Sequence, residues 1–136
     1  MRINGIVETA LYVADPAVTA AFYRRLFGFP VLLESERLIA LDVAGTNVLL
    51  LFRAGATEGP VVTEGGVIPG SPGAPPTHFA FSVSAEDVER WKAKLEAEGV
   101  TVESVVTWPR GAKSIYFRDP DGNLAELISP GFWAIY

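Results

Sequence analysis

The chain has one histidine, His78. It opens the segment His-Phe-Ala-Phe-Ser-Val (78–83), which echoes Glu-Thr-Ala-Leu-Tyr-Val (8–13). Both segments alternate small or polar residues with apolar ones, and both precede a helix start within a few residues. His78 therefore takes, seventy positions on, the slot held by Glu8. A second correspondence runs through Asn123-Leu124-Ala125-Glu126-Leu127, which repeats the frame of Asn47-Val48-Leu49-Leu50-Leu51 and sets Glu126 where the earlier copy has Leu50. Imidazole nitrogen and carboxylate oxygen are ligands for hard and borderline divalent cations. One imidazole and two carboxylates at repeat-related strand positions point to a metal site built between two halves. A neutral imidazole and two carboxylates would balance Fe(II), Mn(II), Zn(II) or Mg(II). Leu124 and Ile128 share the strand face of Glu126, and a lone buried carboxylate is costly unless it is paired or metal-bound.

Other residues could serve a substrate. Tyr12, Phe52 and Trp108 could line a pocket for an aromatic or apolar molecule, although aromatics in strands more often belong to a core. Arg110 and Lys113 flank Gly111 in Trp-Pro-Arg-Gly-Ala-Lys, where they could hold a carboxylate or phosphate; a solvated turn is the alternative reading. Glu58 and Glu64 read as solvent-facing. There is no glycine-rich phosphate cradle and no nucleophile elbow. The absence of cysteine removes disulfides, zinc-thiolate sites and thiol nucleophiles. A net charge of −5 argues against nucleic acid and anionic membrane surfaces. No apolar run approaches the roughly 18–20 residues needed to span a bilayer. Met1-Arg2-Ile3-Asn4-Gly5 lacks the apolar core of a signal peptide. The expectation is a soluble, cytoplasmic protein.

A chain of 136 residues, 49% hydrophobic, can bury the core of one domain. Its elements come in one order, twice. Ile6–Val13 reads as a strand with Glu8, Ala10 and Tyr12 on one face. Asp15-Pro16 starts a helix, Val18, Phe22 and Leu26 are its expected buried stripe, and Gly28 stops it. Strands follow at Val31–Leu33, Leu38–Val43 and Val48–Phe52. After the His78 strand, Ser84-Ala85-Glu86-Asp87 resembles a capping box with Asp in the last position. Val88, Trp91 and Leu95 form the second stripe, ended by Gly99. Val100–Val106, Ser114–Arg118 and Leu124–Ser129 complete the second half, with Asp119-Pro120-Asp121-Gly122-Asn123 as a turn. Residues 54–76 are rich in Gly and Pro, show little strand pattern, and read as a lid, a binding loop or a disordered connection.

The ordered set Asp15-Pro16, Ala21-Phe22-Tyr23, Leu26-Phe27-Gly28, His78-Phe79-Ala80-Phe81 and Tyr116 through Leu127 resembles the vicinal oxygen chelate superfamily. That superfamily includes glyoxalase I, extradiol dioxygenases, fosfomycin-resistance enzymes and bleomycin-resistance proteins. The likeness covers nearly the whole chain except the linker. It implies an α+β fold of two tandem βαβββ modules forming an eight-stranded cleft: one domain, with module 1 at about 1–54, the linker at about 55–76 and module 2 at about 77–136. It implies Glu8, His78 and Glu126 as metal ligands, with Glu8 and Glu126 also catalytic. Glu replaces the usual first-strand His, and Leu50 replaces the fourth ligand of the glyoxalase I branch, leaving open coordination positions.

Two functions remain open on these residues. One is a metal-dependent enzyme, of dioxygenase, lyase or isomerase type, that chelates vicinal oxygens of a small substrate. The other is a metal-free protein of the bleomycin-resistance type that sequesters a drug or metabolite. The resemblance also implies a homodimer, with Glu8 meeting His78 in one chain or across two.

Overall fold

The structure, a computed structural model, describes residues 6–63 and 66–132. The amino-terminal pentapeptide and Glu64 lie outside them. The chain divides into two compact units, Met1–Pro75 and Pro76–Tyr136.

In the first unit the elements are β1 (Glu8–Val13), α1 (Pro16–Phe27), β2 (Val31–Glu34), β3 (Leu38–Val43) and β4 (Asn47–Arg53). The sheet runs β1-β4-β3-β2, with β1 parallel to β4 and the other pairs antiparallel. Side chains alternate across a strand, so each strand contributes to two faces. Leu11, Val13, Ile39, Leu41, Leu49 and Leu51 are buried together on one, each contributing roughly 1.5–3 kcal/mol by leaving water. Glu8, Ala10 and Tyr12 stand on the other, in register with Val48, Leu50 and Phe52.

Helix α1 packs on β3 and β4. Asp15 Oδ1 accepts the Ala17 N–H at 2.9 Å, and Gly28, at φ 73°, closes the helix by donating to the Arg24 carbonyl. Its buried stripe is Pro16, Thr19, Ala20, Tyr23 and Leu26, which keeps Leu26 of the expected stripe and corrects Val18 and Phe22. Val18 is exposed. Steps of four residues drift by about 40° each around a helix of 3.6 residues per turn, whereas steps mixing three and four hold one face.

The linker is not structureless. Val61–Thr63 (β5) and Gly66–Ile68 (β6) pair antiparallel, so among the described residues a small separate sheet is added to the eight strands of the two four-stranded sheets. Three-residue strands are too short to display alternation. Further on, the linker is strapped onto the open face of the first sheet: Tyr12 Oη donates to the Ser71 carbonyl at 3.1 Å, and Thr57 and Ser71 exchange bonds at 2.6 and 2.7 Å. Gly73 presses against the Tyr12 ring so closely that a Cβ there would sit 2.0 Å from a ring carbon.

The second unit comprises β7 (His78–Ser82), α2 (Val88–Ala97), β8 (Val102–Thr107), β9 (Lys113–Arg118) and β10 (Leu124–Ile128). Its sheet runs β7-β10-β9-β8, again with one parallel pair, β7 with β10. Ile115, Phe117, Ala125 and Leu127 are buried, as are Val88 and Leu95 of α2, which packs on β8 and β9. Trp91 is only half-buried. The capping-box reading is corrected. Ser84 Oγ donates to Asp87 Oδ2 at 2.8 Å instead of accepting a backbone N–H, and a 3-10 turn, Ala85–Asp87, precedes the helix. That hydroxyl bond, with Arg90 beside it, holds the Asp87 carboxyl below the ordinary range. Among the described residues no helix is long and apolar enough to cross a membrane.

Candidate metal centre

Register brings the chemistry together in the second unit. Leu124 pairs with His78 and Glu126 with Ala80. By alternation, His78, Ala80, Leu124 and Glu126 share the sheet face that looks away from α2. Tyr116 pairs with Glu126 from β9 and shares that face. The His78 Nε2 lies 3.3 Å from Glu126 Oε2, with the imidazole half-exposed and the carboxylate 7% exposed.

The other ring nitrogen fixes the tautomer. Nδ1 is 3.1 Å from the Leu124 carbonyl, which only accepts, so Nδ1 must carry the proton. In a neutral imidazole, Nε2 then turns a lone pair toward a carboxylate oxygen, and the contact repels unless a proton or a cation lies between them. Glu126 Oε1 is buried with no hydrogen-bond partner, an arrangement costly for any carboxylate left unligated. Both observations fit a divalent cation held by Nε2 and the carboxylate, with the carbonyl-bound Nδ1 orienting the ring. Tyr116 borders the pair. Its phenol is pushed above the ordinary tyrosine range by burial first, then by its hydrogen bond to Glu126, against a smaller opposing effect of Ser114. The sequence reading did not single out Tyr116. Its signal was there, since pairing β9 with β10 across the Asp119–Asn123 turn sets it opposite Glu126.

Glu8 stands exposed on the open face of the first sheet, at the β1 position equivalent to His78. Within neither unit, among the described residues, do three His, Cys, Asp or Glu side chains gather around one point. Leu50 occupies the position equivalent to Glu126, between Ala10 and Ala40.

The candidate substrate residues fall in both units. Tyr12 and Phe52 stack at 5.9 Å on the open face of the first sheet, and Arg37 lies over Phe52. Trp108 donates from Nε1 to Ser114 Oγ at 2.8 Å and packs on Phe132, the rings tilted by 38° with centroids 4.3 Å apart. The Arg110 guanidinium donates to the Phe132 carbonyl. Lys113 shares the parity of Ile115 and Phe117, so it faces α2 and pairs with Glu89 at 2.7 Å. Glu58 is exposed.

Two βαβββ units with a His–Glu pair on one open sheet face define the class of protein. Residues 5–127 match the model of the Glyoxalase/Bleomycin resistance protein/Dioxygenase superfamily, and the chain belongs to that family. It is 32% identical over 127 residues to metallothiol transferase FosB of Bacillus licheniformis, covering 93% of this chain and 75% of that protein. It is likewise 32% identical to a FosB of Staphylococcus haemolyticus, over 92% of this chain and 83% of that one. Among solved structures, lactoylglutathione lyase from Agrobacterium tumefaciens superposes with a TM-score of 0.89 at 32% identity, covering 98% and 99% of the two chains.

Proposed function

We propose that this chain is a metal-dependent enzyme that binds a small substrate through adjacent oxygens and promotes attack by a low-molecular-weight thiol on a strained carbon–oxygen bond, so that a C–S bond forms, the C–O bond breaks, and the freed oxygen takes up the proton that the thiol loses. The observation that carries the metal part is the facing of His78 Nε2 and Glu126 Oε2 at 3.3 Å beside an unpartnered carboxylate oxygen. The thiol part is supported by the names of the relatives, a metallothiol transferase and a lactoylglutathione lyase. This chain has no cysteine, so any thiol must arrive as a co-substrate. A cytoplasmic setting, where small thiols stay reduced, suits that chemistry. Leu50 offers no fourth donor, which favours transfer over the lyase reaction, and the relatives' names give ring-cleaving oxygenation less support.

In this reading His78 would hold the ion through Nε2, Glu126 through its carboxylate and Glu8 as the third donor, and a Glu8 oxygen would take the thiol proton. A bound Fe, Mn, Zn or Mg ion would supply Lewis acidity, polarising a substrate oxygen and stabilising negative charge on it. Tyr116 holds the carboxylate in place by donating to it. Glu8 would come from the same chain or from the second subunit of a homodimer.

Elemental analysis of protein purified without added metal is the test. Stoichiometric divalent metal, lost in His78→Ala and Glu126→Ala but only weakened in Glu8→Gln, is expected, together with metal-dependent consumption of a thiol. Metal-free protein, indifferent to chelators yet able to bind a small molecule, would establish the sequestering protein instead.

A further inference from the structure

The latch that sets His78 against Glu126 lies in Asn123, which stands beside Leu124, three residues before Glu126, and bonds Thr77, the residue before His78. Strands β7 and β10 are parallel and 46 residues apart at the His78–Leu124 pair, so no hairpin turn fixes their register. A slip of one residue would turn His78 to the helix face. Asn123 is fully buried. Its Oδ1 accepts from the Thr77 N–H at 2.9 Å and from the Thr77 hydroxyl at 3.1 Å. Its Nδ2 donates to Asp119 Oδ2 at 2.9 Å and its own N–H to Asp119 Oδ1 at 2.9 Å. The Leu124 N–H then donates to the Thr77 carbonyl at 2.8 Å. The residue before His78 is thereby clamped to the residue before Leu124, whose carbonyl receives Nδ1.

The first unit supplies the contrast. The same backbone bond is present there, from the Val48 N–H to the Val7 carbonyl at 2.8 Å. Val7 has no hydroxyl, however, and the Asn47 amide donates instead to its neighbour, Thr46 Oγ1, at 3.1 Å. The equivalent positions in that unit hold Glu8 and Leu50, and a leucine offers no polar contact to align. The side-chain clamp accompanies the unit that carries the His–Glu pair.

We infer that Asn123 is a positioning residue for the candidate metal centre, acting through Thr77 to hold the His78 imidazole in the Nδ1–H tautomer with Nε2 directed at Glu126. This rests on the metal reading of the pair, but its first readout needs no metal. Because His78 is the only histidine, long-range 1H–15N spectra of the metal-free protein report its imidazole alone. Recorded at about pH 8.5, above the ordinary imidazole range, wild type should show a protonated Nδ1 and an unprotonated Nε2. Asn123→Ala, with its backbone spectrum otherwise retained, should lose that preference and bind Zn2+ about 10–100-fold more weakly. Thr77→Val, which removes only the hydroxyl bond, should shift both readouts the same way by less, and it decides the matter if Asn123→Ala does not fold. Asn47→Ala should change neither. Wild-type imidazole shifts in folded Asn123→Ala, or in Thr77→Val where that variant decides, would overturn the inference. A wild type that holds the Nδ1–H tautomer yet binds no Zn2+ would overturn the metal reading and leave the positioning role standing.

Discussion

The first unit carries Glu8, Leu50 and Ala40 at the sheet positions where the second carries His78, Glu126 and Tyr116. Strand order, the parallel pair and its register are the same in both. The backbone is thus indifferent to whether the central position holds a methyl group or a carboxylate, and the side chains decide the chemistry. Leu50 sits among small apolar neighbours and asks nothing of them. Glu126 needs His78, Tyr116 and a further partner for Oε1, and it needs the Asn123 clamp upstream. One unit can therefore serve stability while the other carries an electrostatic cost on behalf of the site.

Making the second unit resemble the first should have the largest effect. Glu126→Leu removes a buried carboxylate with one unpartnered oxygen. Metal affinity should fall by more than about 100-fold, since an inner ligand matters more than the outer contacts whose loss costs 10–100-fold. The melting temperature should hold or rise, because a buried carboxylate with an unpartnered oxygen is costly and an apolar side chain in its place is not. Combining it with Tyr116→Phe, which removes the donor left without its carboxylate, should raise it further. Calorimetry and metal titration on the same samples check both halves. A sharp loss of stability in the double variant would show that Glu126 is structural, and the contrast between the units would fail.

The reciprocal change is Leu50→Glu, which sets a carboxylate between Ala10 and Ala40 with no donor in register. It should destabilise the metal-free protein by about 2–3 kcal/mol. If Glu8 and Leu50 border the same metal as the second unit's pair, Mn2+ should restore more stability to this variant than it adds to wild type, because a fourth ligand has been supplied. An equal Mn2+ response in the two proteins would place position 50 away from the ion.

How much of this was legible in the sequence follows from the range of each signal. Strand alternation is local, so Leu38–Val43 was bounded correctly and the Glu8–His78 equivalence could be found. Helix α1 was found by Asp15, Pro16 and Gly28, but its face was misassigned because Val18, Phe22 and Leu26 look like a stripe unless the drift of 3.6 is followed. The β5–β6 hairpin is too short to announce itself. Tyr116 and Lys113 required register and parity: two aligned strands make one a neighbour of Glu126 and turn the other to α2. Neither fact is a property of a single segment.

Among the described residues the strap over Tyr12 has no counterpart in the second unit, and Gly73→Ala probes it. A methyl group 2.0 Å from the ring must displace either the linker or the tyrosine, at roughly 1–2 kcal/mol. Tyr12→Phe, which removes only the bond to Ser71, should cost about 1 kcal/mol. Combining the two should cost no more than Gly73→Ala alone if the displaced group is the strap, since the hydroxyl bond is then already lost. Full additivity in chemical denaturation would mean that the ring moved and the strap stayed.

The smallest effect belongs to the helix side of the second sheet. Lys113 bonds Glu89 at 2.7 Å, and that bond, with the lysine's charge, holds the Glu89 carboxyl below the ordinary range. A carboxyl depressed in the folded state adds stability above its unfolded pKa, and that contribution is lost as pH falls through the folded pKa. Glu89→Gln should therefore melt slightly below wild type at pH 7 and together with it near pH 3. The gap should be small, because both side chains face water and salt screens them. Metal affinity should not change, since alternation puts Lys113 on the opposite face of β9 from Tyr116. A Glu89→Gln protein that gains affinity for an anionic substrate would show the freed lysine reaching around the strand edge to the site, and the two-faced division of the second unit would then need redrawing.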